Sequence, residues 1–312
     1  MKTIHWFTLL LLLLVIARPL FADTNDTFTI ATYNVENWNE IERHGKPDEP
    51  KPYWERAAVV NVLTNFQPDV LAVEEMGSTN DLAELHNRLH AKGMDYPYRE
   101  WLQAADADRH VALLSRFPIT SRQPHTNETY SLDGHTLPVQ RGFLDVQIQV
   151  SSNYTFRAIV VHLKSKRTTE EGDQAKMRLE EATLLRDYIN NVLKQNSNAN
   201  VVVMGDFNDT PDSAPIRALL GDATLNLFVL PARDSTGSDA THFWKFRKEY
   251  SHIDYLMTSP GMSNEYVTGS ARVADFPGWD KGSDHRAVFG RFQTHDIIPA
   301  PVSKPAGKPT DK

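Results

Sequence analysis

The segment Val201-Val-Val-Met-Gly-Asp-Phe-Asn-Asp-Thr-Pro211 constrains the fold of this chain more than any other. Its three valines and one methionine predict a buried strand, which ends at Gly205 and is followed at once by Asp206 and Asn208. Because side chains alternate along an extended chain, Asp206 and Asn208 are expected to point the same way and Phe207 the opposite way. A carboxylate and an amide that leave a strand together can position a water, a metal ion or a phosphate oxygen. In isolation, an Asx-type turn is the commoner explanation of such a sequence.

The composition is that of a globular protein and limits the chemistry available to the chain. Of its residues, 40% are hydrophobic and 23% are charged. A length of 312 residues is enough to bury one large core or two smaller ones. The absence of cysteine excludes disulfides, thiolate zinc sites and cysteine nucleophiles. A metal ion would therefore be held by oxygen or imidazole, and oxygen ligands favour hard ions such as Mg²⁺, Mn²⁺ or Ca²⁺.

The two ends of the chain are expected to lie outside the folded domain. Residues 1–22 combine an early lysine, an apolar run from Phe7 to Ile16 and a possible cleavage point at Ala22, which predicts a signal segment. The protein is therefore expected to be exported to the periplasm or secreted, with an uncleaved anchor as the alternative. Residues 298–312 are rich in proline and lysine and predict a disordered tail. Residues 23–297 contain no evident linker or repeat and are expected to form one domain.

The charge balance limits how the protein could hold a nucleic acid. Removal of residues 1–22 would change the net charge from −7 to −9, because that segment contains Lys2 and Arg18 but no acid. An acidic protein attracts nucleic acid poorly by charge alone. A nucleic acid should then be held locally, by a metal ion and a small basic patch. Arg141, Lys164 and Lys166-Arg167 are candidates for that patch, although such residues are more often solvated surface.

The predicted elements alternate between strands and helices and then become mostly strands. The expected strands are Phe28–Tyr33, Val70–Val73, Tyr96–Leu102, His110–Ser115, Gly142–Val150, Tyr154–His162, Ser251–Met257 and Ala287–Phe292, and the expected helices are Tyr53–Phe66, about Asp81–Ala91, about Asp173–Lys194 and a short one that begins at Thr210-Pro211. This order suggests two packed sheets with helices outside.

Polar side chains gather where several of these strands begin or end. The clusters are Asn34, Glu75, His162, Asp206 with Asn208, Asp254, and Asp284-His285. Polar groups gathered on one rim of a rigid scaffold are a common way to form a site. Carboxylates, amides and two histidines suit one hard cation, an activated water and a phosphoryl group whose transition-state charge must be neutralised.

The motifs around these clusters resemble those of the endonuclease/exonuclease/phosphatase superfamily, which includes deoxyribonucleases, abasic-site endonucleases, neutral sphingomyelinases and inositol polyphosphate 5-phosphatases. They are Thr32-Tyr-Asn-Val-Glu36, Leu71-Ala-Val-Glu-Glu75, Val160-Val-His-Leu-Lys-Ser165, Met204-Gly-Asp-Phe-Asn208, His252-Ile-Asp-Tyr255 and Gly282-Ser-Asp-His-Arg286. They occur in the family's order and span about residues 28–292. The resemblance implies an α/β four-layer α-β-β-α sandwich, in which two mixed sheets pack together with helices outside.

The resemblance also implies ligands for Mg²⁺. Asn34 and Glu75 match the metal-side pair, with Glu75 as the principal ligand, and Asp284 matches a second metal-side acid. Glu74 stands where the family usually has glutamine. It would add charge near the metal, or it is simply a solvated neighbour of Glu75.

The remaining matches imply roles in phosphoester hydrolysis. His285 matches a general base or a stabiliser of the pentacovalent phosphate, and Asp254 matches the carboxylate that orients it. Asp206 would hold or activate the attacking water, and Asn208 would bind a phosphate oxygen. His162 would contact phosphate or protonate the leaving oxygen.

Three functions are compatible with these residues. The first is an exported, Mg²⁺-dependent phosphodiesterase that hydrolyses DNA or RNA. The second has the same centre but acts on a phosphorylated small molecule or a lipid headgroup. Against a lipid substrate, the sequence shows no extended aromatic hairpin suited to a membrane, and Trp38, Trp244 and Trp279 are expected to pack as loop anchors. The third, an inactive binding module, is disfavoured because no motif position carries an inert residue. No obligate protein partner is evident, so a monomer is expected.

Overall fold

The structure, a computed structural model, describes residues 26–43, 45–221 and 226–297. The predicted signal segment (residues 1–22) and tail (residues 298–312) lie outside the described residues. The strands are β1 (Thr27–Trp38), β2 (Glu40–Arg43), β3 (Lys46–Pro50), β4 (Val70–Met76), β5 (Tyr98–Leu102), β6 (His110–Ser115), β7 (Ile119–Arg122), β8 (Thr129–Leu132), β9 (His135–Pro138), β10 (Phe143–Ser151), β11 (Tyr154–His162), β12 (Val201–Asp206), β13 (Phe228–Val229), β14 (His242–Trp244), β15 (Glu249–Ser251), β16 (Asp254–Thr258), β17 (Arg272–Val273) and β18 (Val288–Gln293). The helices are α1 (Tyr53–Phe66), α2 (Thr79–His90), α3 (Gln174–Gln195), α4 (Ala214–Leu220) and α5 (Pro260–Glu265).

Two six-stranded mixed sheets form the centre of the molecule. The strand order is β17-β18-β1-β4-β6-β5 in the first sheet and β13-β16-β12-β11-β10-β7 in the second. β1 runs parallel to β4 and β11 runs parallel to β12, while the other neighbours are antiparallel. Three further hairpins, β2–β3, β8–β9 and β14–β15, project from these sheets as separate two-stranded units.

Alternating side chains on the strands supply three separate cores. On β12, Val202 and Met204 enter the core between the two sheets, whereas Val201 and Val203 face α3 and α4 on the outside. A third core lies between the first sheet and helices α1 and α2. Full burial of each such side chain contributes about 1.5–3 kcal/mol. The layers therefore run helix, sheet, sheet, helix, which confirms the predicted sandwich.

Strand register brings the polar strand ends to one rim. His162, the last residue of β11, is the pairing partner of Asp206, the last residue of β12. Asp206 is also paired with Asp254, the first residue of β16. In the other sheet, Asn34 on β1 is the partner of Glu74 on β4. Backbone pairing therefore fixes the separation of most of these groups before any side-chain contact is considered.

Gly205 permits the close approach of β11 to β12 at this rim. Its φ angle is 142°, and a Cβ atom placed on it would lie 1.9 Å from the carbonyl oxygen of Val161. A larger residue could not occupy this position without a backbone shift. The glycine that appears in the sequence as the end of a strand is thus required by the neighbouring strand.

Two local predictions are wrong. The short helix does not begin at Thr210-Pro211, because the chain first makes a turn in which the Ser213 amide donates to the Thr210 carbonyl, and the helix starts at Ala214. The predicted strand Ser251–Met257 is interrupted, because the amides of Ile253 and Asp254 both donate to the Thr241 hydroxyl at 3.0 Å. Its two parts belong to β15 and β16.

Within the described ranges, none of the helices has the length and apolar character needed to cross a membrane.

Candidate functional site

Asp206 lies at the centre of the rim and is contacted from several strands. Its Oδ2 atom accepts a hydrogen bond from Asn34 Nδ2 at 3.0 Å. The same oxygen lies 3.6 Å from His162 Nε2 and 3.7 Å from His285 Nε2. The carboxylate is only 1% exposed. A buried carboxylate therefore faces two imidazole rings and an amide.

The side chains of Asn208 and Asp206 lie on the same side of the chain. The backbone amide of Asn208 donates to Asp206 Oδ1 at 2.8 Å, and its side-chain Nδ2 donates to the Leu163 carbonyl at 3.0 Å. Asn208 has a φ angle of 54°, a conformation that asparagine tolerates better than most residues. Phe207 is fully buried in the core beneath α3. The sequence presents an Asx turn and a functional site as alternatives. In the structure, Asp206 forms an Asx turn with Asn208 and also lies at the centre of the rim.

Asp254 and His285 form the most direct ionic contact of the rim. His285 Nδ1 lies 3.0 Å from both carboxylate oxygens of Asp254. The Thr241 hydroxyl donates to Asp254 Oδ2 at 2.6 Å, and the Ser283 hydroxyl accepts from the His285 amide at 3.0 Å. Asp254 therefore has the partner that a buried charge in a strand requires. Its position matches the orienting role that the resemblance implies.

The surrounding charges separate the two histidines by their pKa values. Burial by itself would lower the pKa of His285, but the carboxylates of Asp254 and Asp206 outweigh it and hold that pKa well above its usual value. Burial lowers the pKa of His162 well below its usual value, and Arg141 lowers it further. Burial raises the pKa of Asp206 to about 7, although the charge of His285 opposes this. His285 is thus the charged ring and His162 the neutral one.

The predicted metal-side residues surround Asp206 at different depths. Glu75, with a φ angle of 60°, accepts from the Asn37 amide at 2.9 Å, and its Oε1 lies 4.0 Å from His162 Nε2. Asn34 is fully buried, with its Oδ1 accepting from the Glu36 amide at 3.0 Å. Asp284 is further out, with Oδ1 at 3.8 Å from His285 Nε2. All of the predicted site residues are therefore linked by contacts of 4.0 Å or less.

Two groups of potential metal ligands come together within the described part of the chain. Asp206, Asp254 and His285 form one, and His242, Asp284 and His285 form the other, with ligand atoms in each group within 4.8 Å of one another. His285 already holds Asp254 through Nδ1, so its imidazole is committed to a hydrogen bond in both groups. Burial would raise the pKa of Asp284, but His242 and His285 hold it at about 2, so this carboxylate stays ionised. Neither group includes Glu75 or Asn34, the metal-side pair that the resemblance implies, although their side chains and that of Asp284 offer the oxygen donors that hard divalent cations prefer.

Glu74 is not a solvated neighbour of Glu75, and the sequence-based alternative that it is solvated is wrong. Its side chain is fully buried, and Thr32 Oγ1 donates to its Oε1 at 2.7 Å. Burial, together with the nearby charges of Asp254 and Asp206, raises its pKa well above the usual value. A protonated glutamic acid is neutral, as glutamine would be. This explains how the chain accommodates an acid at a position where the resemblance leads one to expect an amide.

A cationic wall borders the cleft in front of Asp206. This cleft has a volume of about 260 Å³, and its basic lining residues are Arg109, Arg141, Lys164 and Arg167. We call these four residues the cationic wall. Arg141 is also paired with Asp106 at 3.0 Å. Lys166, the other basic candidate, does not line the cleft and pairs with Asp209 at 3.1 Å. Arg109 is absent from the sequence-based set because it lies in a polar loop that carries no recognisable motif.

The hairpin β14–β15 carries exposed aromatic side chains, contrary to the sequence-based expectation. Trp244 is 44% exposed, Phe246 is 89% exposed and Tyr250 is 58% exposed. By contrast, Trp38 is buried as expected, and Trp279 packs partly against the core beneath α1. The expectation that Trp244 anchors a loop is therefore wrong. The aromatic residues are interleaved with basic and acidic ones, which conceals them in a hydropathy pattern.

Glu181 on α3 is buried behind the cationic wall and accepts a hydrogen bond from the backbone of Lys164. Its Oε2 accepts from the Lys164 amide at 2.7 Å, and the side chain is 1% exposed. Burial raises the pKa of Glu181 to about 7 in the folded protein, although Arg141 and Lys164 partly oppose this. No motif marks this residue, because its importance depends on where α3 packs.

We predict that Glu181→Gln stabilises the protein above neutral pH. The folded-state pKa of Glu181 exceeds its unfolded value, so its ionisation destabilises the fold as pH rises from about 4.5 to 7, by up to about 3 kcal/mol. Glutamine keeps the acceptor for the Lys164 amide and removes this ionisation. Urea unfolding at pH 5 and pH 8 should show a smaller loss of stability in the variant. Equal pH dependence in both proteins would contradict the prediction.

Comparisons with known proteins agree with this fold. A sequence profile described as "Endonuclease/Exonuclease/phosphatase family" matches residues 31–285. A search of curated proteins finds no match. Among solved structures, the human Nocturnin catalytic domain with bound sulfate is similar, with a TM-score of 0.60 and 17% identity over 87% of this chain and 96% of that one.

Two further structures show the same fold. Truncated Caenorhabditis elegans TDP2 has a TM-score of 0.58 and 14% identity, over 86% of this chain and 97% of that one. Sphingomyelinase C from Streptomyces griseocarneus has a TM-score of 0.58 and 16% identity, over 86% of this chain and 99% of that one. The chain belongs to the endonuclease/exonuclease/phosphatase family, whose members are hydrolases that act on phosphoric esters.

Proposed function

We propose that the protein is an exported, Mg²⁺-dependent phosphodiesterase that hydrolyses nucleic acid by attack of water on phosphorus. The observation that carries this proposal is the convergence of His162 and His285 on the same oxygen of Asp206, at 3.6 and 3.7 Å. One ring is held charged and the other neutral. A phosphoryl group in front of Asp206 would meet a proton acceptor, a cation and a neutral hydrogen-bond donor together.

Asp206 is the residue suited to take the proton of the attacking water. Its pKa of about 7 is close to the ideal for a general base near neutral pH. The neutral ring of His162 would then donate a hydrogen bond to a phosphate oxygen. Asn208 Nδ2 donates to the Leu163 carbonyl and to Asp206 Oδ2, so it would exchange one of these hydrogen bonds for a phosphate oxygen. A neutral His162 favours a phosphate contact over proton donation to the leaving oxygen.

His285 is suited to stabilise the charge that builds up on the pentacovalent phosphate. It retains its proton because Asp254 lies 3.0 Å away, so its free Nε2–H can donate towards the phosphoryl group. Asp254 orients the ring and is itself fixed by Thr241. Between the two roles that the resemblance allows, the charge of the ring favours the stabiliser over the general base.

Glu75 would be the principal ligand of the metal ion, with Asn34 and Asp284 as further oxygen donors. When bound, the ion would neutralise charge on a phosphoryl oxygen. The carboxylates of Glu75, Asp206, Asp254 and Asp284 outnumber the charged imidazole at the rim, which also favours a bound cation.

We favour nucleic acid as the substrate because four basic side chains, the cationic wall, line the cleft. Arg109, Arg141, Lys164 and Arg167 line the cleft although the chain as a whole is acidic. A polyanion would be held locally by this wall. The second candidate is a phospholipid phosphodiesterase with the same centre, which the exposed aromatic hairpin and the similarity of fold to sphingomyelinase C support.

Export is proposed from residues 1–22 alone. Expression of the full chain in a bacterial host should release a protein that lacks about the first 22 residues into the periplasm or medium, as determined by mass spectrometry. Recovery of the intact chain only from the cytoplasm would contradict export.

We predict that the mature protein with Mg²⁺ cleaves DNA or RNA, and that Asp206→Asn or His285→Ala lowers kcat by about 10²–10³-fold. The measurement is a panel of plasmid DNA, single-stranded DNA, RNA, phosphomonoesters and choline or inositol phospholipids. Turnover of lipids with intact nucleic acid would favour the second candidate. Unchanged turnover in both variants would indicate a contaminating enzyme.

The neighbouring residues Lys166 and Arg167 provide a matched control for nucleic-acid binding in the same panel. Arg167→Gln should raise KM for nucleic acid severalfold and reduce its salt dependence, because Arg167 lines the cleft. Lys166→Gln should change little, because Lys166 pairs with Asp209. Equal effects would argue against the cationic wall.

We predict that a chelator abolishes turnover and that Mg²⁺ restores it. Because a ligand that binds only the folded state stabilises it, saturating Mg²⁺ should also raise Tm by a few degrees. Glu75→Gln should lose most of this Tm increase, which calorimetry measures independently of activity. A Tm increase that persists fully in Glu75→Gln would show that the ion binds elsewhere.

A further inference from the structure

The β14–β15 hairpin is an exposed aromatic element joined to the catalytic rim. We define the aromatic hairpin as residues 241–251, with paired strands His242–Trp244 and Glu249–Ser251. Its turn carries Phe246, which is 89% exposed, and Trp244 and Tyr250 flank it at 44% and 58% exposure. Such exposure of large aromatic side chains is costly in water unless a partner covers them.

The base of the aromatic hairpin is held by the catalytic residues. Thr241 Oγ1 donates to Asp254 at 2.6 Å, and the Thr241 carbonyl accepts from the Arg286 amide at 2.6 Å. The Phe243 amide donates to the Asp284 carbonyl at 2.8 Å. These hydrogen bonds fix the base of the hairpin relative to Asp254, the residue that orients His285.

One face of the hairpin lies beside His285, which is one of the residues that line the cleft. The ring of His242 lies 4.7 Å from the ring of His285, and Trp244 shares its face because side chains two residues apart on a strand point the same way. At the turn, Lys245 Nζ lies 4.0 Å from Glu36 Oε2, beside the end of β1. Phe246 is four residues beyond His242, so at most about 13 Å along an extended chain. The backbone of Phe246 therefore lies no farther than this from His242, whose ring contacts His285.

The opposite face is supported from within. The rings of Phe243 and Tyr250 pack at 4.5 Å between centroids, with 30° between their planes. On the cleft face, the Arg247 guanidinium lies 4.7 Å from the centre of the Trp244 ring. Phe246 is therefore the aromatic ring that is freest to take a new partner, and Trp244 and Arg247 act as a pair.

The charges of the turn select the kind of partner. Lys245, Arg247 and Lys248 surround Phe246 in a chain whose net charge is −7. A ligand that matches this surface has flat apolar faces and repeated negative charges. Single-stranded nucleic acid has both, since its bases stack on aromatic rings and its phosphates pair with lysine and arginine. A zwitterionic lipid surface would not attract the three cations, and insertion of Phe246 would bring them towards the hydrocarbon.

We infer that the aromatic hairpin is a stacking platform for bases of single-stranded nucleic acid next to the phosphate in the cleft. This inference rests on the proposed nuclease function and specifies its substrate. In a duplex the base faces are covered by their neighbours, so Phe246 has no ring to stack on. The platform therefore gives the enzyme a preference for single strands over duplexes.

The test compares Phe246→Ala with Phe228→Ala in the mature protein with Mg²⁺. Phe228 is 44% exposed, as Trp244 is, but pairs with Thr258 at the other end of β16 from Asp254. Substrates are a single-stranded thymidine oligonucleotide, its duplex with deoxyadenosine, and an abasic oligomer with the same phosphates. Phe246→Ala should lower kcat/KM on the thymidine strand by about 10-fold or more. On the abasic oligomer and the duplex the loss should be less than twofold, and Phe228→Ala should resemble the wild type throughout.

Each other outcome overturns the inference. If the wild type cleaves the thymidine strand and Phe246→Ala does so equally well, the platform is wrong while the nuclease proposal stands. If Phe246→Ala loses as much on the abasic oligomer, the hairpin acts on phosphates or on the fold rather than on bases. If the wild type cleaves none of the three substrates and no RNA in the panel above, both proposals fail. If it cleaves RNA but none of the three, the inference fails for these DNA substrates while the nuclease proposal stands. Sedimentation of the wild type, but not Phe246→Ala, with phosphatidylcholine–sphingomyelin vesicles would assign the hairpin to lipid.

Discussion

The arrangement of the rim depends on the hydrogen-bonded register of three strands, β11, β12 and β16, which holds His162, Asp206 and Asp254 side by side. Backbone ladders on both sides of β12 fix this order, and Gly205 allows the close approach that it requires. A carboxylate buried at such a position is unfavourable unless its neighbours compensate for it. The charge of His285 and hydrogen bonds from the Asn208 amide and Asn34 offset part of this cost, and burial still raises the pKa of Asp206 to about 7.

The charges around the rim shift the pKa values of its two histidine rings, His162 and His285, in opposite directions. Burial alone would lower the pKa of His285, but the nearby carboxylates of Asp254 and Asp206 hold it well above its usual value, whereas burial and Arg141 lower the pKa of His162. Burial also raises the pKa of Glu74 well above its usual value, which disfavours a further negative charge in this layer. One polar layer thus brings two imidazole rings with opposite pKa shifts within 4 Å of a buried carboxylate, which is the basis of the proposed hydrolysis of a phosphoester.

The surface beyond the rim determines which phosphoester can reach it. A cationic wall borders one side of the cleft, and the aromatic hairpin is attached to the residues that orient His285. Both features are built on loops and hairpins rather than on the two sheets. The catalytic centre can therefore remain constant while the surrounding segments change, which is why a common fold accommodates different substrates.

The sequence by itself determined the sandwich and the members of the rim, because strand periodicity and polar strand ends are local properties of the chain. Helix Tyr53–Phe66 and strand His110–Ser115 have the bounds that their patterns predict. Only the tertiary structure decided the burial of Glu74, the support from Glu181 and the exposure of Phe246. These features depend on packing between segments that are far apart in the chain. Such packing buries the acids Glu74 and Glu181 and leaves the ring of Phe246 exposed to water. Local pattern carries no information about which neighbour a side chain will meet, so these features had to be observed.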